Sequence, residues 1–316
     1  LPSVRRADAP PQAVMNAVLA ELGKNLAARW LTHLVPSGLL FLAVAGAGRL
    51  LGQAHWYDVG RVTRALDELA GHPASRSTGG VVLAAAATAI ASAGLGLLAQ
   101  ALGGSVERLW TGDWPPPVRP LGGRLTERRR GRWRAAEDAY ARVDARAVEQ
   151  GPPLDPGTVR ELARLAAVRN RISLVEPAHP CWTGDRVRAL DLRVHQAYRL
   201  DLDSAWSRLW LVLPADTRTE LRTAREAYDA AVRLTAWSLP YLLVAAWWWP
   251  SALIALGLAM LGARRGRSAM DAFAELVESA VDLHGRDLAL ALGVDCPGRL
   301  DRETGLEITA LLRKGA

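Results

Sequence analysis

Apolar residues along this chain are gathered into blocks, and three of the blocks carry no formal charge over a bilayer-scale length. The first runs from Trp30 to Gly48 and the second from Ser77 to Val106. The third runs from Leu234 to Ala263 and is closed by Arg264, Arg265 and Arg267. A helix that crosses the hydrocarbon core needs about 20 mostly apolar residues, and one ionised side chain at its centre costs about 2.5–3.5 kcal/mol. The unbroken absence of Asp, Glu, Lys and Arg therefore predicts membrane helices rather than ordinary core helices.

As one straight helix the third block would reach about 45 Å and hold Trp247, Trp248 and Trp249 near mid-depth. Tryptophan instead favours the membrane–water interface. A turn near 249–250 puts the three rings there and lets Pro250 begin a second arm, where its missing N–H costs least. The arginines then set sidedness. Arg5, Arg6, Lys24 and Arg29 precede the first block, Arg108 and the dense run Arg124 to Arg134 follow the second, and the Arg264 cluster follows the third. By the positive-inside rule all three regions are cytosolic, which requires an even number of crossings.

The expected fold is all-α: a multi-pass helical membrane protein with two helical hairpins in the membrane plus a helical cytosolic domain. Its expected parts are a cytosolic N-terminal segment at 1–29, a first hairpin at 30–106 with an external loop at about 49–76, and an Arg-rich helical domain at 107–233. A second hairpin, transmembrane or re-entrant, follows at 234–263, then a cytosolic helical tail at 264–316. The expected location is a bacterial plasma membrane with both termini cytosolic, and no cleaved signal peptide is read in Leu1 to Arg29. Ala43 with Ala47, and Ala85 with Ala89 and Ala93, form small-residue stripes at four-residue spacing, which suit close helix packing in lipid.

Beyond the proline-stiffened linker PPPVRPLGG the pattern is helical. Trp133, Ala136, Tyr140 and Val143 share one helical side. Thr158 with Glu161 and Thr217 with Glu220 read as capping boxes, Thr183 as a cap near Gly184, and Ser268 as the cap of a last amphipathic helix. The helix opened at Thr217 is expected to run straight into the third apolar block.

Charge changes the picture in one respect. The formal net charge is +7, and only Lys24 and Lys314 among the basic residues are lysines. Nucleic acid is disfavoured as a partner, because bases flanking membrane spans produce the same balance. Membrane lipids are the expected partners, with a protein partner or self-association. The run Arg128, Arg129, Arg130, Arg132 and Arg134 is expected to touch anionic headgroups, each base near the surface contributing about 1 kcal/mol. Two distant cysteines, Cys181 and Cys296, exclude a disulfide framework or a Cys-based zinc site.

His179, Cys181, Asp185 and His195 fall close together, but ligation wants three or four convergent groups, and a proline turn explains the local pattern as well. No phosphate loop, nucleophile elbow or HExxH motif is present. No cofactor, metal or catalytic residue is expected, and the lack of ionisable residues in the apolar blocks argues against an ion-coupled carrier.

The stretch NRISLVEPAHPCWTGDRVRALDLRVHQAYRLDLDSAWSRLWLVLP, with VDLHGRDLALALG and ITALLRKGA further on, resembles an uncharacterised family of multi-pass membrane proteins from actinobacteria. The likeness is carried by a Pro-x-Trp-x-Gly-Asp-Arg core (Pro180, Trp182, Gly184, Asp185 and Arg186) ahead of an acidic-Leu-Trp segment, and covers most of the chain from about residue 110. It implies a membrane location and a bacterial source, and no activity. The expected function is accordingly non-enzymatic: a cytosolic helical domain that binds a partner and anchors it, or relays its state, at the inner membrane face. The alternatives are a pore assembled through the alanine stripes and a metal enzyme built on the 179–195 cluster.

Overall fold

The computed structural model describes residues 36–71 and 77–313. The expected N-terminal segment 1–29, the first six residues of the first apolar block, His72–Arg76 in the expected external loop, and Lys314–Ala316 lie outside the described residues. Among the described residues every regular element is helical, and there is no strand. The helices are α1 (Pro36–Leu51), α2 (Val59–Gly71), α3 (Thr78–Thr111), α4 (Arg119–Gln150), α5 (Pro156–Ile172), α6 (Trp182–Tyr198), α7 (Leu202–Val212), α8 (Ala215–Val244), α9 (Pro250–Ala291) and α10 (Arg302–Arg313). The chain divides into two compact units. One comprises residues up to Leu102 with Ala236–Ala259; the other comprises Gly103–Thr235 with Met260–Ala316.

In the first unit a small aromatic core joins α1 to the arms of the third apolar block. Phe41 meets Tyr241 edge-on at 5.2 Å and Trp237 at 6.2 Å, and Val244 and Ala255 are buried beside them. Gly38 of α1 lies so close to Ser92 of α3 that a β-carbon would run into the Ser92 backbone, and Gly48 abuts the Trp248 ring. The alanine stripes are not this seam. Ala43, Ala85 and Ala89 are exposed, whereas Ser92, Gly96 and Ala99 are the buried positions of α3 within this unit. Ala47 and Ala93 are half-buried, so the two alanine sets are mixed in exposure.

The third apolar block is interrupted. Helix α8 ends at Val244, residues 245–249 form a turn, and Pro250 starts α9. The Ser251 hydroxyl donates to the Tyr241 carbonyl at 2.6 Å, which fastens the start of α9 to the end of α8. Only α3 is long and apolar enough to cross a membrane by itself among the described residues; α1 is apolar but shorter.

The second unit has its core where α6, α7 and α10 meet the outer parts of α8 and α9. Leu190, Val194, Leu200, Leu209, Leu221, Val281, Leu288 and Ile308 are buried together. Helices α4 and α5 pack as a pair beside it, with the Arg169 guanidinium over the Tyr140 ring and paired to Glu137 at 2.8 Å. Several expected caps are corrected. Helix α5 starts at Pro156 and is capped by Asp155, whose carboxylate accepts from the N–H groups of Gly157 and Thr158, so Thr158 lies inside the first turn. Helix α6 begins at Trp182 rather than near Gly184, with Cys181 at the cap position. Ser268 caps nothing: α9 runs through it without a break, because no neighbouring residue forces a stop.

Candidate functional site

The arginine run lies on α4 within the second unit, and it divides by register. Arg129, Arg130 and Trp133 turn toward the segment that connects α5 to α6. Arg129 donates to the Ile172 carbonyl at 2.8 Å, to the His179 carbonyl at 2.5 Å and to the Asp185 carboxylate at 2.7 Å. Arg130 reaches the Pro177 carbonyl, and the Trp133 indole donates to the Ser173 carbonyl at 2.9 Å. Arg130 and Arg134 also pair with Glu176, and Arg130 with Glu127. Of the five residues expected at lipid headgroups, Arg129, Arg130 and Arg134 are thus committed to carboxylates. Arg128 and Arg132 are exposed and have no acidic partner among the described residues.

Asp185 sits in the first turn of α6 with a side chain only 1% exposed. Its carboxylate accepts the N–H groups of Ala178 and His179 at 2.8 and 2.9 Å, and lies 3.3 Å from His179 Nδ1. Burial pushes its pKa up, but the His179 ring, the two backbone N–H groups and the Arg129 guanidinium together hold it below the ordinary carboxylate value. Position in the first turn also sets a negative charge against the positive end of the helix dipole. The Pro-x-Trp-x-Gly-Asp-Arg core is therefore a structural clasp. Gly184 belongs to it, because a β-carbon there would collide with the Thr111 carbonyl and the His179 ring. His195 is not brought to His179 and Cys181, and no group of three or more potential ligands converges among the described residues.

Next to the clasp is a pocket of about 660 Å³ with Arg129 and Arg132 from α4, Arg171 from the end of α5, and Arg267 from α9 in its wall. Trp110, Cys181 and Trp182 also line it. The Arg267 guanidinium lies 4.7 Å above the Trp182 ring and donates to the Arg171 carbonyl at 2.7 Å. Arg129 is neutralised by Asp185, but no carboxylate among the described residues lies within ion-pair distance of Arg132, Arg171 or Arg267. Asp271 is taken by Arg186 at 2.6 Å. Burial lowers the Arg267 pKa, and the positive charges of Arg129 and Arg171 lower it further, only partly opposed by Asp271. Burial raises the Cys181 thiol, with Arg129 opposing and Asp185 reinforcing.

The site is defined by uncompensated guanidinium charge beside indole rings. Planar guanidinium forks of this kind match the geometry of carboxylate and phosphate groups. Sequence reading had singled out Arg132 and Arg267, but for other reasons, and passed over Arg171, Trp110 and Trp182 as pocket residues. Their convergence joins residues from as far apart in the chain as Trp110 and Arg267, and no local motif signals it.

The class of protein these features define is an all-helical one, with an apolar helix long enough for a membrane and a cationic pocket in its second unit. Comparison with protein-family models, with curated proteins and with solved structures finds no match.

Proposed function

We propose that this chain is a multi-pass membrane protein of a bacterial plasma membrane, with both termini cytosolic, whose Arg-rich helical unit is a non-catalytic binding module at the inner face. The observation that carries the membrane part is the exposure of α3. Only 11% of its most apolar window is buried, and Val82, Leu83 and Ile90 stand open. A core helix of a water-soluble protein would bury that surface, each such side chain contributing about 1.5–3 kcal/mol. Lipid accounts for its exposure. Trp56, Tyr57, Trp247 and Trp249 are gathered at one end of the first unit, with Trp56 and Trp249 edge-on at 5.1 Å, as an interfacial aromatic belt would be.

The relay part rests on continuity. Helix α8 runs from Ala215 to Val244 with Pro240 inside it, so a charged stretch and the start of the third apolar block belong to one helix. Two measurements test the reading. The tagged protein should resist extraction by alkaline carbonate and require detergent, and recovery in the ultracentrifuge supernatant would overturn the membrane assignment. Affinity capture from solubilised membranes should bring down a partner in fixed stoichiometry, and its absence would overturn the relay.

A further inference from the structure

We propose that the pocket walled by Arg132, Arg171 and Arg267 is a receptor for a phosphate-bearing anion, a phosphomonoester or diphosphate carried by a small soluble molecule or a lipid headgroup. This deepens the binding-module reading and rests on it, though not on the relay or on the identity of any protein partner. Three guanidiniums without carboxylate partners among the described residues face one cavity of about 660 Å³. Planar forks of N–H donors match tetrahedral oxyanions, and a multiply charged anion would neutralise the positive charge they gather at one wall. The start of α6 adds to this. Cys181, Trp182 and Thr183 line the pocket, and Cys181 supplies no side-chain cap, so the positive end of the helix borders the same space.

The size of the cavity exceeds what inorganic phosphate needs, which leaves room for the group that carries it. Trp182 has one ring face covered by Arg267, holding that guanidinium in place rather than free to wander. Ala263, the last residue of the third apolar block, also lines the pocket, so a headgroup source is as accessible to the chemistry as a soluble one.

The test uses the full chain in nanodiscs of phosphatidylcholine, alone or with phosphatidic acid, and inorganic pyrophosphate as the soluble probe. Cys181 is a reporter inside the pocket, while Cys296 is 2% exposed and stays silent to N-ethylmaleimide. Pyrophosphate should bind saturably by calorimetry and slow Cys181 alkylation several-fold in phosphatidylcholine discs if the source is soluble. Protection by phosphatidic acid without added anion would assign the site to a headgroup. The double variant Arg132→Gln, Arg171→Gln should weaken either effect by roughly tenfold or more, with Arg171→Lys intermediate because charge is kept and the fork lost. Arg128→Gln, exposed on the same helix but outside the pocket wall, should behave as the unaltered protein. Failure of both probes to protect Cys181, or an equal loss with Arg128→Gln, would overturn the proposal. Binding of pyrophosphate without a captured protein partner would leave it standing and remove only the relay.

Discussion

The Gln53 side chain accepts the backbone N–H of Trp249 at 3.1 Å and donates to the carbonyls of Ala245 and Ala246 at 3.1 Å each. Helix α8 ends at Val244 and the N–H groups of residues 245–248 take up carbonyls of its last turn, so the Gln53 amide serves the polar groups of the turn beyond it. Gln53 belongs to the connection after α1, nearly 200 residues away in the chain. In the proposed topology both the connection and the turn are external, and this contact requires them to be on the same side.

Cysteine accessibility tests that consequence. In a Cys181→Ser background, Tyr57→Cys and Trp247→Cys should both react with a membrane-impermeant maleimide added to intact cells. Glu149→Cys, exposed near the end of α4, should react only after permeabilisation. Reaction of Tyr57→Cys and Trp247→Cys from opposite sides would exclude the contact in the membrane, and reaction of Glu149→Cys from outside would invert the topology.

The buried clasp yields a stability prediction with a pH signature. Asp185→Asn leaves Arg129 without its carboxylate in a nearly closed site, and the loss should be about 2–4 kcal/mol in unfolding of the detergent-solubilised protein. Because the folded-state pKa of Asp185 lies below the ordinary 3.8, the native state holds this proton less tightly than the unfolded chain. Its stabilisation is thus fully present above the unfolded value and fades as pH falls through the folded one. The unaltered protein should lose stability as it is acidified below that carboxylate range, and Asp185→Asn should flatten that limb. An unchanged acid limb in the variant would show that other carboxylates govern it.

How far these features could be read beforehand depends on distance along the chain. The interruption at Trp249–Pro250 is a local conflict, since three interfacial rings and a proline cannot sit inside one straight buried helix, and so it is legible in the residues themselves. All-helical structure followed from three- and four-residue periodicity for the same reason. The fate of the arginine run was not legible, because Arg129 finds Asp185 56 residues away and the connecting segment Ser173–Pro180 has no periodic pattern. The same holds for the small-residue seam. Gly38 and Ser92 are one glycine and one serine among many, and only the approach of α1 to α3 distinguishes them.

That approach can be measured. Gly38→Val places atoms where Ser92 already stands, whereas the same change at Gly46, with nothing within 4 Å, meets open space. Both substitutions put a β-branched residue into α1, so helix propensity cancels in the comparison. Gly38→Val should cost about 1–3 kcal/mol more than Gly46→Val through overpacking, read as a lower unfolding midpoint in detergent. Ala85→Val, on the exposed alanine stripe, should be near neutral in the isolated protein. Equal effects at Gly38 and Gly46 would dissolve the seam.

Two hydroxyls in the second unit make the opposite kind of prediction. Tyr228 is fully buried against Trp110 and beneath the Arg225 guanidinium, yet its hydroxyl has no hydrogen-bond partner among the described residues; Ser173, also fully buried, likewise leaves its hydroxyl unpartnered among them. A buried polar group without a partner forfeits its bonds to water and gains nothing in exchange, a cost of about 1–3 kcal/mol. Tyr228→Phe keeps both ring contacts and removes only the stranded oxygen, and Ser173→Ala does the same with little change in volume. Each should raise the unfolding midpoint, by roughly 2–4 °C if about 1 kcal/mol is recovered. Trp133→Phe is the counter-case, because it deletes the donor to the Ser173 carbonyl and should lower the midpoint by a comparable amount. If Tyr228→Phe instead destabilised the protein, that hydroxyl would have to be meeting a partner, and a bound water or ligand beside Trp110 would be the first place to look.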